Sequence, residues 1–263
     1  MSIFGKTSMK IFVKNGSELA RMREANLLVA RVLDEVEKAC VPGTTTWELN
    51  RIAAAVIDKA HARSAFLGYV AGDSPPYPAV ICTSVNEEVV HGVPRKDRVL
   101  REGDIVGVDF GVFVDGFCGD AARTIAIGKI SPQARALMDA TRESLERAIA
   151  CCVPDGRLGD IGSAVQSHVE PRGYSVVRKF VGHGIGRRMH EDPPVPNWGK
   201  AGRGVRLRPG MVLAIEPMVN AGAPDVEMLD DEWTAVSADG SLSAHFEHSV
   251  AITEDGPLVL SQP

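Results

Sequence analysis

Apolar positions along the chain change period several times, and each change marks an element. From Ser17 the residues Leu19, Met22, Ala25, Leu28, Val29, Val32, Leu33 and Val36 keep helical spacing as far as Ala39, with Ser17 as the expected cap. Val41-Pro42-Gly43 stops that helix. Thr46 opens a second, with Leu49, Ile52, Ala53 and Val56 on one side. Residues 66–79, rich in Gly, Pro and Tyr, read as a loop, and Val80–Val85 as a short strand. Ser131-Pro132 starts a third helix, proline being favoured in the first turn. Val153-Pro154-Asp155-Gly156 ends it, and a fourth runs from about Leu158 to Val169. Strands are expected at Val176–Val181, Met211–Val219 and His245–Thr253, with a glycine-rich loop, GHGIGRRMHEDPP, folding back after the first of these.

The central stretch is Gly103–Asp120, GDIVGVDFGVFVDGFCGD, a β-hairpin turning at Asp115-Gly116. With that two-residue loop, Asp109 and Asp120 lie diagonally on one sheet face. Two carboxylates facing one way in an apolar sheet stay ionised only with a cation between them.

The order helix, Val-Pro stop, helix, strand, His-Gly, sheet occurs twice. Aligning Gly103 of RVLREG with Gly210 of VRLRPG carries Asp109 onto Glu216. RTIAI at 123–127 resembles HSVAI at 248–252, each just after an acid, Asp120 or Glu247. The expectation is an α+β fold: a duplicated unit with halves at about 17–128 and 129–263 behind an arm, residues 1–16, ending in a strand. All of 1–263 is expected to form one catalytic domain, a central antiparallel sheet with helices on one face.

Five residues then stand out as candidate ligands: Asp109, Asp120, His183, Glu216 and Glu247. Singly, each has a duller role, such as an edge-strand charge for Glu216 or a partner of Arg123 for Glu247. Together, four acids exceed what one imidazole neutralises, and no matching set of buried bases exists. Two divalent ions roughly 3.5–4 Å apart suit such a set, and oxygen-rich ligation with one nitrogen suits Mn, Fe, Co or Zn. The implied chemistry is amide or ester hydrolysis. His91 and His190 are left free to hydrogen-bond a substrate.

Composition narrows the class further. The chain has 263 residues, 44% hydrophobic and 24% charged, with a net charge of −5, which argues against nucleic acid as the main ligand. Five cysteines without a C-x-x-C pair are not a disulfide framework, so a reducing, cytoplasmic setting is expected. No apolar run approaches the roughly 20 residues of a membrane span. GHGIG lacks the spacing of a dinucleotide loop, and neither G-x-S-x-G nor H-E-x-x-H occurs.

The ordered motifs VNEEVVHGVP, VDFGVFVDGFCGD, FVGHGIGRRMHEDP, AIEPMVNAG and SAHFEHSVAIT resemble type I methionine aminopeptidases, across about residues 15–260. The resemblance implies the pita-bread fold, with pseudo-twofold symmetry, and removal of the initiator methionine from nascent chains whose second residue is small. It makes Asp109 a terminal ligand of one metal, Asp120 and Glu247 the bridging carboxylates, and His183 and Glu216 ligands of the other, with Glu216 also a general base. His91 and His190 would contact the substrate. Phe66, Tyr69, Tyr77, Cys82, Met189 and Trp233 would line the methionine pocket, whose sulfur and aromatic character suits a thioether. Asn86 and Ser243 match positions near a structural monovalent cation. Three departures stand out: VAGDSPP between Tyr69 and Tyr77 is longer than in compact relatives, Met189 replaces a common aromatic, and Gly111 stands where a hydroxyl residue is frequent. A compact bacterial subtype, a monomer, is expected. A same-fold enzyme of Xaa-Pro specificity and a non-catalytic binding homologue are the alternatives. The basic runs Arg95–Arg101 and Arg203–Arg208 are expected to help dock the ribosome.

Overall fold

The computed structural model describes residues 9–262. The first eight residues of the expected arm therefore lie outside the described residues. Four helices, α1 (Gly16–Ala39), α2 (Thr46–Lys59), α3 (Pro132–Ala150) and α4 (Leu158–Val169), cover one face of a nine-stranded antiparallel sheet. Its strands are β1 (Arg63–Ser64), β2 (Cys82–Val85), β3 (Ile105–Val114), β4 (Phe117–Ala126), β5 (Gly182–Gly184), β6 (Glu191–Val195), β7 (Val212–Ile215), β8 (Glu247–Thr253) and β9 (Gly256–Val259). The order is β1-β3-β4-β8-β7-β5-β6, with β2 also on β3 and β9 also on β8.

The duplication shows in the packing. Val106, Val108, Phe110 and Val112 of β3 face α1 and α2 in one core. Leu213 and Ile215 of β7, with Val250 and Ile252 of β8, face α3 and α4 in another. Because strand side chains alternate, the odd-numbered Asp109 and Gly111 of β3 fall on the opposite face, away from the helices.

Helix starts follow their caps. α1 begins two residues earlier than the expected cap implied: Asn15, not Ser17, is the cap. Its side chain accepts from Glu18 N while the Glu18 carboxylate accepts from Asn15 N. Thr45 and Glu48 do the same for α2. Ser131 caps α3 ahead of Pro132, as expected.

Several strands differ from expectation. The segment expected as one strand at Val176–Val181 pairs only at Ser175–Val176. The glycine-rich segment taken as loop supplies β5, which hairpins with β6. Met211–Val219 is two strands, β7 and Met218–Asn220, interrupted at Glu216-Pro217. His245–Thr253 is likewise divided at Phe246. Each break redirects the chain beside an acid of the site. Among its described residues the arm makes a single bridge, Ile11 to Asp192, rather than a strand. Among the described residues, no helix is long and apolar enough to cross a membrane.

Candidate metal centre and pocket

Register alone assembles the acids. Asp109 on β3 pairs with Ala122 on β4, and Ala122 pairs with Glu247 on β8. His248 pairs with Ile215 of β7, so continuing that ladder by one residue sets Glu216 opposite Glu247. Asp120 pairs with Gly111, two residues along on the same face. His183 pairs with Ala214 on the next strand. Five donors from both halves thus meet on the concave face.

The distances agree. His183 Nε2 lies 3.5 Å from Glu216 Oε1 and 4.0 Å from Asp120 Oδ2. Asp120, His183 and Glu247 each bring a donor atom within 4.8 Å of the others. His183 Nδ1 sits 2.9 Å from Gly184 O, and donating there leaves the Nε2 lone pair facing the acids. The duller roles do not hold. Glu216 follows an interior strand rather than an edge, and Arg123 pairs with Asp34 and Glu37, not Glu247.

Electrostatics show what this donor set suits. Asp109 Oδ1, Asp120 Oδ1 and Glu247 Oε1 are buried without a hydrogen-bond partner. Burial raises the Asp109 carboxyl to about 7. Burial, then the neighbouring acids, push Asp120, Glu216 and Glu247 well above the carboxylate range. Burial, with His190 nearby, lowers His183 to about 3. Clustered acids with orphaned oxygens around a neutral imidazole fit a divalent cation, which satisfies those oxygens and offsets their charge.

The rest of the site is held in place by packing. α1 packs so tightly on β4 that a Cβ on Gly119 would sit 2.7 Å from Asn26 N. That approach lets Asn26 Oδ1 accept from Asp120 N, at 3.3 Å. The turn after β5 is strapped from the arm. Lys14 Nζ meets Glu191 Oε2 at 2.8 Å with both side chains buried, and Glu191 Oε1 accepts from Arg187 N and Arg188 N. Met189 and His190 follow on that turn. Tyr69 OH lies 2.8 Å from His190 Nδ1, and the His190 ring stands 4.4 Å from the His183 ring. His91, with φ 60°, packs edge-on against Phe180 at 5.2 Å, and burial lowers it to about 4.

All five candidate ligands, His91, His190 and the six expected pocket residues Phe66, Tyr69, Tyr77, Cys82, Met189 and Trp233 line one cavity. Tyr77 stands edge-on to both Trp233, at 5.2 Å, and Phe66, at 6.4 Å. Burial pushes the Cys82 thiol well up, so it lines the wall as a thiol. Asn86 and Ser243 are joined by a 2.8 Å bond from Ser243 N to Asn86 O. One lining residue was not foreseen: Ala71, in the long 70–76 segment, which carries no chemical signal.

Residues 20–254 match the model of metallopeptidase family M24. The chain belongs to that family. A methionine aminopeptidase of Clostridium acetobutylicum is 50% identical over 251 residues, 95% of this chain and 98% of that protein. The crystal structure of a methionine aminopeptidase from Thermotoga maritima superposes with a TM-score of 0.93 at 46% identity, covering 97% of this chain and all of that one. Prolidase from Pyrococcus furiosus gives 0.75 at 21% identity over 95% of this chain and 65% of its own, a likeness of fold alone. The pita-bread architecture is therefore shared with both neighbours, while close sequence identity lies with the methionine aminopeptidases.

Proposed function

We propose that this metallopeptidase hydrolyses the amino-terminal methionine from nascent chains and peptides whose second residue is small, as a single catalytic domain made of two halves. The observation that carries this is the shared cavity: five converging ligands open directly onto a sulfur- and aromatic-lined wall. Asp109 would hold one ion as a terminal ligand, Asp120 and Glu247 would bridge, and His183 and Glu216 would hold the second. Two divalent ions of the Mn, Fe, Co or Zn kind would lower the pKa of a water toward about 7 and polarise the scissile carbonyl.

The chain's own groups do the rest. Glu216 takes the proton of the attacking water and passes it to the leaving amine. With Tyr69 donating to its Nδ1, His190 carries its proton on Nε2 and can donate into the cavity. His91, neutral near pH 7, has one N–H to offer to the oxyanion that develops. Tyr77, Trp233, Phe66, Met189 and Cys82 enclose an unbranched thioether. Asn86 and Ser243 would support a monovalent cation behind the site, and a cytoplasmic monomer suits the five free cysteines.

The test is methionine release from Met-Ala-Ser after chelation and restoration of each ion in turn. Divalent-dependent release is expected. Preferential cleavage of Ala-Pro peptides would favour the Xaa-Pro alternative, and turnover indifferent to divalent ions would remove the proposal. Ribosome docking by Arg95–Arg101 and Arg203–Arg208 belongs to the same reading, although Arg98 lies 3.8 Å from Glu87 and Arg206 2.8 Å from Asp155. Ribosome co-sedimentation unchanged by Arg-to-Glu substitutions there would count against it.

A further inference from the structure

Gly111 lies within the ten-residue strand β3, opposite Asp120. Glycine weakens a strand interior, and where it occurs there it commonly marks a close approach. Its φ lies outside the left-handed region, so the backbone does not require glycine. Space does. A Cβ at this position would sit 2.8 Å from Phe66 Cε1, 3.1 Å from Ala65 Cβ and 3.2 Å from Asp120 Oδ1. The ring edge of Phe66 and the orphaned oxygen of Asp120 therefore converge on the point that a side chain would fill. Phe66 is held there from its other side by Tyr77, edge-on, and both rings are buried in the cavity wall.

We propose that Phe66 determines how long a side chain the pocket accepts, and that Gly111 is its positioning residue. By leaving its place empty, Gly111 admits the ring to the metal end of the pocket. There the ring fixes the depth available to the thioether and keeps water from one flank of Asp120. The proposal rests on the methionine-pocket reading and deepens it. It makes length discrimination a property of two residues, one of them without a side chain. An added methyl at 111 has two ways to be relieved, by the ring or by Ala65 and Asp120, and they differ in consequence. The ring can swing into the pocket and shorten it, whereas movement of Asp120 would disturb the ions.

A double-mutant cycle separates these routes. Gly111→Ala, Phe66→Ala and the double variant are made in the full chain and loaded with metal. Metal content, Tm, affinity for free methionine and for its one-methylene-longer homologue ethionine, and kcat/KM on Met-Ala-Ser are then measured. G111A should lose about tenfold or more in methionine affinity while retaining its metal. In the F66A background the same change should cost less than about threefold. F66A alone should raise the ethionine-to-methionine affinity ratio about tenfold, as an added methylene of room would. Phe66→Leu provides a milder version should F66A unfold, and it should move the ratio the same way. An equal cost of G111A in both backgrounds, loss of metal in G111A, or an unchanged ratio in F66A or F66L overturns the proposal. Methionine binding intact without any release from Met-Ala-Ser would instead overturn the peptidase reading alone.

Discussion

Stripping the metal should give this protein a stability that falls as pH rises above neutrality. The folded chain holds the Asp109 proton to about 7, where an unfolded aspartate releases it near 3.8. A group with a raised acid pKa lets the native state bind the extra proton, so unfolding becomes easier as pH climbs between the two values. At about 1.36 kcal/mol per pKa unit, Asp109 alone sets a ceiling of about 4 kcal/mol by pH 8. Asp120, Glu216 and Glu247 act in the same direction. Buried histidines act oppositely. His91, His183, His245 and His248 are lowered to between about 3 and about 4, so their contribution is full above 6.5 and fades as pH falls toward those values. Below 6.5 the two sets oppose each other; above it the histidines are silent and only the acids act. Chelated and metal-loaded protein should therefore be unfolded thermally from pH 5 to 8.5. The chelated form should lose Tm from pH 6.5 upward, mainly through Asp120, Glu216 and Glu247, because Asp109 has by then only about 1 kcal/mol of its ceiling left to lose, or a few degrees. The gap to the loaded form should widen with pH, since protons no longer compete for the ligands. A chelated Tm that is flat or rises above 6.5 would refute the picture of acids left facing one another.

Other outcomes follow from single contacts. Glu216→Gln should lower kcat on Met-Ala-Ser by about 100-fold or more, whether through a lost proton carrier or a weakened ligand; activity within tenfold of the parent would exclude both roles. Lys14→Ala leaves the Glu191 carboxylate buried without its 2.8 Å partner. A Tm loss corresponding to about 3–5 kcal/mol, with a raised KM from a loosened 186–191 turn, is expected; unchanged Tm and KM would show that the strap carries no load. Gly119→Ala drives a methyl into the α1 backbone at Ala25 and Asn26. It should destabilise by about 1–3 kcal/mol in denaturant titration, and a neutral result would mean that α1 lifts at no cost.

What could be read from the chain was what local chemistry encodes. The Asp115-Gly116 turn takes positive φ at both residues, 47° and 78°, and so fixes the register that places Asp109 and Asp120 on one face. The four helices were legible from spacing and caps, and the choice of Asn15 over Ser17 turned on which cap lets Glu18 reach back. β6 was hidden because Glu191–Val195 holds Pro193 and Pro194, tolerable only because it ends the sheet order. β5 was hidden because glycines give no alternation to read; its neighbours demand them, a Cβ on Gly182 falling 2.3 Å from Ala214 O.

The acids of the site were legible for the opposite reason: a carboxylate in an apolar strand is costly enough to need an explanation. Lys14 was not, because its partner lies 177 positions away, and Gly111 stood out only as a departure from the family pattern, since the space its missing side chain leaves is a tertiary feature. The same reasoning identifies what the ions add beyond chemistry. Each half has a hydrophobic core under its helices, a third cluster from Met22, Phe117 and Cys118 to Ile185, Val212 and Ala251 joins them, and within the sheet β4 pairs with β8 at two positions, Ala122 with Glu247 and Ala121 with His248. Asp109 and Asp120 come from one side of that seam; His183, Glu216 and Glu247 come from the other. Without a cation those acids must hold protons, and as pH rises their developing charges repel one another across the seam. With one, the same side chains would brace it, and metal removal is expected to act on the joint and lower the stability of both cores together rather than that of a loop at the mouth.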